Sequence, residues 1–227
     1  MRRTFLGCLG LLLTASLYWP ELGNAAGPWC FNFRATSGFV TDGPNCSPQL
    51  GEAYPTIYSN GGTAGWDSSF AANMRDRNAG LDARLAGIAF SANVDATKIF
   101  TIDLTTLSGA GTYAVVLAAG DDAGAQLQSI IIKDNGTLKL DLTNGGSGFS
   151  TLIGQYMDIA GTVHTSAANW VTNGSVVATN ITFASTIFQV EISAPSAALL
   201  STTINHIKLT FIDSSSGMRN LLLLGVQ

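Results

Sequence analysis

The densest group of charged side chains in the sequence lies in the segment RDRNAGLDARLAG at 75–87. Its charged residues are Arg75, Asp76, Arg77, Asp82 and Arg84. Arginine and aspartate at such short spacing form bidentate ion pairs, with each other or with the upstream Asp67. These pairs can serve only to fix a loop, or an arginine and an aspartate can face a groove and bind the hydroxyl groups of a sugar. Both interpretations stay open at this point.

Aromatic residues upstream of this segment add a second part of a sugar site. Tyr54, Tyr58 and Trp66 lie outside the apolar runs, among glycine, serine and proline residues. An exposed aromatic ring offers an apolar platform for the C–H face of a sugar. Trp29 and Trp170 lie in apolar runs and are predicted to be core residues. The predicted ligand-binding residues are Tyr54, Tyr58, Trp66, Asp67, Arg75, Arg77, Asp82 and Arg84.

Two adjacent acids, Asp121 and Asp122, follow the apolar run GTYAVVLAAG at 111–120. Carboxylates at the end of a strand bind calcium together with backbone carbonyl groups, or they only solvate a turn. The sequence therefore predicts Asp121 and Asp122 as candidate ligands of a structural calcium ion. No other cofactor is indicated.

Nucleophilic catalysis finds little support in the sequence. A serine hydrolase needs a histidine base, and the two histidines, His164 and His206, both lie within alternating strand patterns. They also lack the spacing of a zinc site. Glycoside hydrolysis stays open, because carboxylates such as Asp67 and Asp82 can converge in a fold. We expect binding without chemical conversion, with a hydrolase, esterase or lyase acting on glycans as an alternative.

The composition favours one folded domain with a neutral, polar surface. The chain has 227 residues, of which 46% are hydrophobic and 11% charged, and its mean hydropathy is +0.28. This length can bury a sizeable core. The formal net charge is -4 and there is no run of lysine or arginine, which argues against nucleic acid or a membrane surface as a partner.

The first 25 residues have the three parts of a secretory signal peptide. Two arginines precede an apolar stretch, and small residues precede a cleavage site after Ala25 or Ala26. The apolar stretch is shorter than the ~20 residues of a membrane-spanning helix. We therefore predict export of residues 26–227 to a secreted, periplasmic or cell-surface location, with no membrane attachment after the signal is removed.

The cysteines fit this location. Cys30 and Cys46 lie in the mature chain, and no CxxC motif occurs. In an exported protein two such cysteines are expected to form a disulfide, which stabilises the chain by about 3 kcal/mol for a loop of this length.

Alternating runs of β-branched and aromatic residues dominate the second half of the chain and predict an all-β fold. Their regular spacing favours a single-domain β-sandwich of the jelly-roll kind. Residues 35–85 carry little strand pattern, apart from a short helix predicted over Ser69 to Asn78. The predicted strands are 29–34, 86–91, 98–104, 112–118, 127–133, 137–142, 157–164, 175–183, 187–192 and 204–212.

An ordered series of motifs links these elements. The motifs are FNFR at 31–34, Gly65-Trp66, RDR at 75–77, DARLAG at 82–87, FTIDL at 100–104, GTYAVVL at 111–117 and Gly120-Asp121. The series resembles the galactose-binding-like jelly rolls, especially malectin-like carbohydrate-binding modules that accompany secreted lyases and esterases. The resemblance implies a sandwich that binds glycans through loops at one edge, often with a structural calcium. Asp122 stands where similar esterases have a nucleophilic serine, which favours a binding module.

The main expectation is thus a secreted domain that binds a neutral glycan. A structural or adhesion subunit of a shell, fibre or surface appendage is the first alternative. The apolar run Leu221 to Val226 supports that alternative, because an exposed apolar strand pairs readily with a second copy in a homo-oligomer.

Overall fold

The computed structural model describes residues 28–33, 64–67, 73–77, 81–82, 84–92, 97–174, 177–195 and 201–212. Most of these residues lie in short strands. Short helical turns fully within the described residues are a 3-10 turn at Leu104–Thr106, α1 at Ala167–Asn169 and a π-helical turn at Trp170–Gly174. The strands are β1 (Trp29–Asn32), β2 (Ala64–Trp66), β3 (Met74–Asp76), β4 (Gly87–Ser91), β5 (Lys98–Asp103), β6 (Gly111–Gly120), β7 (Gln126–Gln128), β8 (Ile130–Asp134), β9 (Thr137–Leu142), β10 (Phe149–Thr151), β11 (Tyr156–Met157), β12 (Val163–His164), β13 (Thr179–Phe183), β14 (Ile187–Ile192), β15 (Thr202–Ile204) and β16 (His206–Phe211).

Two larger sheets and two smaller ones make up the fold. The front sheet has the order β1-β16-β6-β11-β12, with β13 also paired to β6, and the back sheet has the order β2-β5-β14-β8-β9. The smaller sheets are β15-β4-β3 and β10-β7. All strand pairs in the described part of the chain are antiparallel. The predicted all-β sandwich is confirmed.

The main core lies between the front and back sheets. Phe31 of the front sheet meets Phe100 of the back sheet with their ring centroids 5.8 Å apart. Phe183 and Phe188 form a similar pair at 5.1 Å. Aromatic pairs at these distances add about 0.5–1.5 kcal/mol each beyond the burial of their area. They fix the spacing of the two sheets.

The central strand β6 is buried on both faces, as its continuous apolar sequence predicts. Tyr113, Val115 and Leu117 point into the main core. Val116 and Ala118, which alternate with them, belong to a separate cluster on the opposite face. The front sheet therefore needs a cover on its outer side, and the candidate site is built from that cover.

The turn between β8 and β9 follows its sequence closely. Asn135 and Gly136 both adopt positive φ, 46° and 84°. A two-residue hairpin turn of the primed kind requires this geometry, which asparagine and glycine adopt at little cost. The dipeptide Asn135-Gly136 thus forms the hairpin turn that its residue types favour.

Part of the irregular stretch predicted at 35–85 is instead strand. β2 pairs with β5, and β3 pairs with β4. The helix predicted over Ser69 to Asn78 is wrong at its centre, because Met74–Asp76 is extended and hydrogen-bonded in a sheet. Among the described residues, no helix is long and apolar enough to cross a membrane.

Cys30 lies fully buried in β1 and is disulfide-bonded. Its predicted partner Cys46 lies outside the described residues, so the pairing stays a prediction. The predicted signal peptide at 1–25 and the run Leu221 to Val226 also lie outside them.

Candidate functional site

A small hydrophobic cluster covers the outer face of the front sheet. Its buried members are Leu85, Val116, Ala118, Tyr156 and Trp170. Trp170 has no exposed surface, as its apolar run predicts for a core residue. The loop around residues 81–86 and the helical segment 167–174 thus meet over the same patch of sheet.

The helical segment is short and locally fixed. The side chain of Ser166 accepts a hydrogen bond from the backbone N–H of Asn169 at 3.2 Å, which caps α1. The π-helical turn Trp170–Gly174 follows directly. Such turns are rare and occur often at functional sites.

Between the loop and the helical segment lies an open cavity of about 590 Å³. The described residues that line it are Leu81, Asp82, Ala167, Ala168, Val171 and Thr172. Its volume falls in the range of about 300 to 1,000 Å³ that small-molecule sites occupy. We call this cavity the Asp82 groove.

Asp82 is held in the wall of the Asp82 groove by Arg84. Oδ1 accepts from the backbone N–H and from Nε of Arg84 at 3.0 and 2.7 Å, and Oδ2 accepts from Nη2 at 2.9 Å. The hydrogen bond from the Arg84 side chain lowers the pKa of Asp82 below its ordinary value, against the opposing effect of burial. Asp82 is therefore a carboxylate at neutral pH. Its side chain remains 26% exposed.

Arg84 is also held by a contact with Trp170. Its guanidinium carbon lies 5.3 Å from the ring centroid of the buried Trp170. A cation over an indole face is stabilised by about 0.5–1 kcal/mol or more. Trp170 thus fixes Arg84, and Arg84 fixes the orientation of the Asp82 carboxylate.

A second ion pair starts from the same segment but leads away from the Asp82 groove. Nε and Nη2 of Arg77 donate to Oδ1 and Oδ2 of Asp121 at 2.6 and 2.8 Å. The backbone N–H of Ala123 and the amide of Gln126 also donate to this carboxylate. Asp121 is 2% exposed, and its hydrogen bond with Arg77 raises the pKa of that guanidinium.

This second pair bears on the predicted calcium site. Both oxygens of Asp121 already bind a positively charged guanidinium, which would repel a divalent cation. Asp122 lies farther away, with its Oδ1 3.8 Å from Nε of Arg77. The described residues contain no group of three or more His, Cys, Asp or Glu suited to a metal. Asp121 is therefore engaged by Arg77, and calcium binding at Asp121 and Asp122 stays a prediction.

Gly120 lies opposite Tyr156 where β6 pairs with β11, and only glycine fits at this position. A Cβ at Gly120 would lie 2.2 Å from the backbone oxygen of Gln155 and 2.6 Å from Cδ1 of Tyr156. Contacts this short with backbone atoms do not occur in folded proteins. The missing side chain lets β11 lie close enough to β6 for Tyr156 to join the outer cluster.

The predicted aromatic platform is wrong for Trp66. This residue is 1% exposed and packs against Phe33 and Phe100, with ring centroids 5.4 and 5.1 Å away. Its strand β2 pairs with β5, which turns the indole into the main core. Tyr54 and Tyr58 lie outside the described residues.

The other predicted ligand-binding residues are spread over the surface. Asp67 is exposed in the bend after β2, at an edge of the back sheet. Arg75 is exposed on β3, where its guanidinium lies 5.0 Å from the Phe90 ring centroid. Neither residue lines the Asp82 groove. Of the predicted residues that the structure describes, Asp82 lines the groove and Arg84 is paired with it.

Both histidines are hydrogen-bonded to a polar side chain of the fold. His206 is fully buried and hydrogen-bonds through Nδ1 to Asn32 at 2.7 Å, and burial lowers its pKa to about 3. His164 hydrogen-bonds through Nε2 to Asp158 at 2.8 Å within the β11–β12 hairpin. Asp158 also accepts from two backbone N–H groups of that hairpin. Both histidines act as partners of neighbouring polar groups.

The residues that sequence reasoning missed are those of the helical wall, Ala167, Ala168, Val171 and Thr172. The signal that could have found them is Ser166 directly before Ala167 and Ala168, an N-cap residue followed by two strong helix formers. No protein-family model matches the chain, and no curated protein matches it significantly.

Proposed function

We propose that the protein is an exported, non-catalytic domain that binds a neutral glycan in the Asp82 groove. The observation that supports this most is the state of the Asp82 carboxylate. Three hydrogen bonds from Arg84 orient it, two on Oδ1 and one on Oδ2. A carboxylate has about four acceptor positions. One position on Oδ2 is thus left for a hydroxyl group of a ligand.

The electrostatics of the Asp82 groove favour an uncharged ligand. Asp82 and Arg84 neutralise each other, so the pair attracts neither anions nor cations strongly over distance. Hydroxyl groups bind such a pair without leaving a charge buried and unpaired. With few hydrogen bonds available, we expect millimolar to micromolar affinity, which corresponds to about 4 to 8 kcal/mol.

Binding without catalysis fits the separation of the acids. Asp82 and Asp121 each bind their own arginine through both oxygens. A glycosidase needs two carboxylates facing the same bond, one of them able to hold a proton. The lowered pKa of Asp82 works against the acid role in such a pair.

The proposal can be tested by calorimetry or by NMR titration with neutral mono- and oligosaccharides. Asp82→Ala should abolish binding, because Asp82 is the only carboxylate among the described residues that line the groove. Asp67→Ala is the matched control and should bind as the parent protein does, since Asp67 is exposed elsewhere. Thermal melting must show that both variants fold. Absence of any sugar binding at millimolar concentration, or normal binding by Asp82→Ala, contradicts the proposal.

Self-association is a second candidate, favoured by a separate observation. Leu138, Leu152 and Ile153 are 56%, 59% and 63% exposed, which is unusual for large aliphatic side chains. Sedimentation velocity over a range of protein concentrations would detect a homo-oligomer. Loss of that species on Leu138→Lys or Ile153→Lys would support a structural subunit, and a monomer at all concentrations would exclude it.

A further inference from the structure

We infer that the Asp82 groove selects a sugar that carries a methyl group, and this inference rests on the proposed glycan-binding function. It starts from the apolar part of the lining. Leu81, Ala167, Ala168 and Val171 present only aliphatic carbon at their side chains. Among the described residues of the lining, none is aromatic. In this part of the groove a flat sugar face finds no ring to stack on.

An aliphatic wall is suited to a compact apolar group instead. Leu81, Ala167 and Val171 also pack against the buried cluster around Trp170, so this wall is backed by closely packed side chains. A hydroxyl group placed against it would lose its hydrogen bonds to water without replacement, whereas a methyl group loses nothing. The wall thus discriminates against a hydroxymethyl group in the same position.

The polar part of the lining accepts hydrogen bonds. Asp82 is a carboxylate, which can only accept. The hydroxyl of Thr172 donates to the backbone oxygen of Ala168 at 3.0 Å, so its oxygen is left as an acceptor. Ligand O–H groups supply the matching donors, whereas sulfate, phosphate and carboxylate groups do not. The ligand class is therefore a neutral sugar with free hydroxyl groups beside a methyl group.

Two kinds of sugar offer this chemistry, and matched ligand pairs separate them. L-Fucose and L-galactose differ only in the oxygen on C6, so that C6 is a methyl group in the first sugar and a hydroxymethyl group in the second. N-acetylglucosamine and glucose differ in the acetamido group. Calorimetry on the unmodified protein should give a preference of about four-fold or more for the methyl-bearing member of at least one pair, the gain expected from burying one such group.

Two neighbouring substitutions make the test sharper. Val171→Thr exchanges a methyl group of the wall for a hydroxyl and should reduce the preference within a pair. Thr172→Val removes the acceptor and should weaken both members of a pair equally, leaving their ratio unchanged. The opposite pattern for the two variants would overturn the inference.

The outcomes distinguish failure of the proposed glycan binding from failure of the inferred selection for a methyl group. If no sugar binds, the proposed function itself fails. If sugars bind, Asp82→Ala abolishes binding, and neither pair shows a preference, the glycan-binding function stands and the selection of a methyl group is wrong. A preference in one pair alone shows whether the protein recognises the methyl group at C6 or the methyl group of the acetamido group.

Discussion

Two arginine–aspartate pairs leave the same short segment and end in different surroundings. Arg77 reaches across to Asp121, whose side chain is 3% exposed and whose oxygens are fully used within the protein. Arg84 turns back to Asp82, whose side chain is 26% exposed in the wall of a groove. The pairs have the same chemistry and similar distances. Burial and the number of remaining acceptor positions separate a structural pair from a candidate binding pair.

The largest effect is expected from Arg77→Met. This change leaves the Asp121 carboxylate buried without its cation, and breaking a buried pair in this way costs about 3–5 kcal/mol. Urea denaturation should show a lower free energy of unfolding by this amount. Adding Asp121→Asn to Arg77→Met should recover much of the loss, because a neutral amide costs less to bury. A loss below about 1 kcal/mol in the single variant would mean that the Arg77 pair is no more structural than a surface pair.

A smaller effect on stability is expected from Arg84→Met. The pair is partly exposed, and such a pair together with a cation–π contact is worth about 1 kcal/mol. The same change should nevertheless weaken sugar binding strongly, since Asp82 loses the group that orients it. Arg84→Lys should restore the charge but only part of the binding, because lysine cannot form the bidentate contact. Equal losses of stability in Arg77→Met and Arg84→Met would remove the distinction between the pairs.

The smallest effect concerns pH. The pKa of Asp82 is lowered from its ordinary value of 3.8, so the stability that the pair contributes is present above that value and is lost only as pH falls through the lower pKa of the folded state. Sugar binding should therefore stay constant from about pH 7 down to about pH 5 and decline only below 3.8. Calorimetry at several pH values measures this. A decline that begins above pH 5 would contradict a carboxylate held by Arg84.

Much of the sheet structure could be predicted from the sequence. The predicted runs 137–142 and 187–192 agree with β9 and β14, because long strands alternate regularly. The strands β2, β3 and β10 have three residues each, too few for alternation to appear. Such short strands are fixed by their partners in the sheet, and a local pattern contains no information about partners.

In the candidate site, too, local contacts could be predicted from the sequence and contacts between distant segments could not. Asp82 and Arg84 are two positions apart, and their pairing follows from local chemistry. Arg77 and Asp121 are 44 positions apart, and nothing near Arg77 indicates that partner. The predicted exposure of Trp66 is wrong for the same reason, since pairing of its strand with β5 determines the direction of the indole. Local sequence predicted one of the two ion pairs and neither wall of the groove in full.

The close approach of β11 to Gly120 of β6 bears on how distant relatives of this chain can be recognised. Any chain that keeps this architecture must retain glycine there, because even one carbon atom would collide with the backbone of the neighbouring strand. Where such a chain also keeps the aspartate directly after this glycine, we expect an upstream arginine to pair with it, as Arg77 does with Asp121 here. A glycine, an aspartate and a distant arginine in this order form a fingerprint that can survive after the rest of the sequence has diverged.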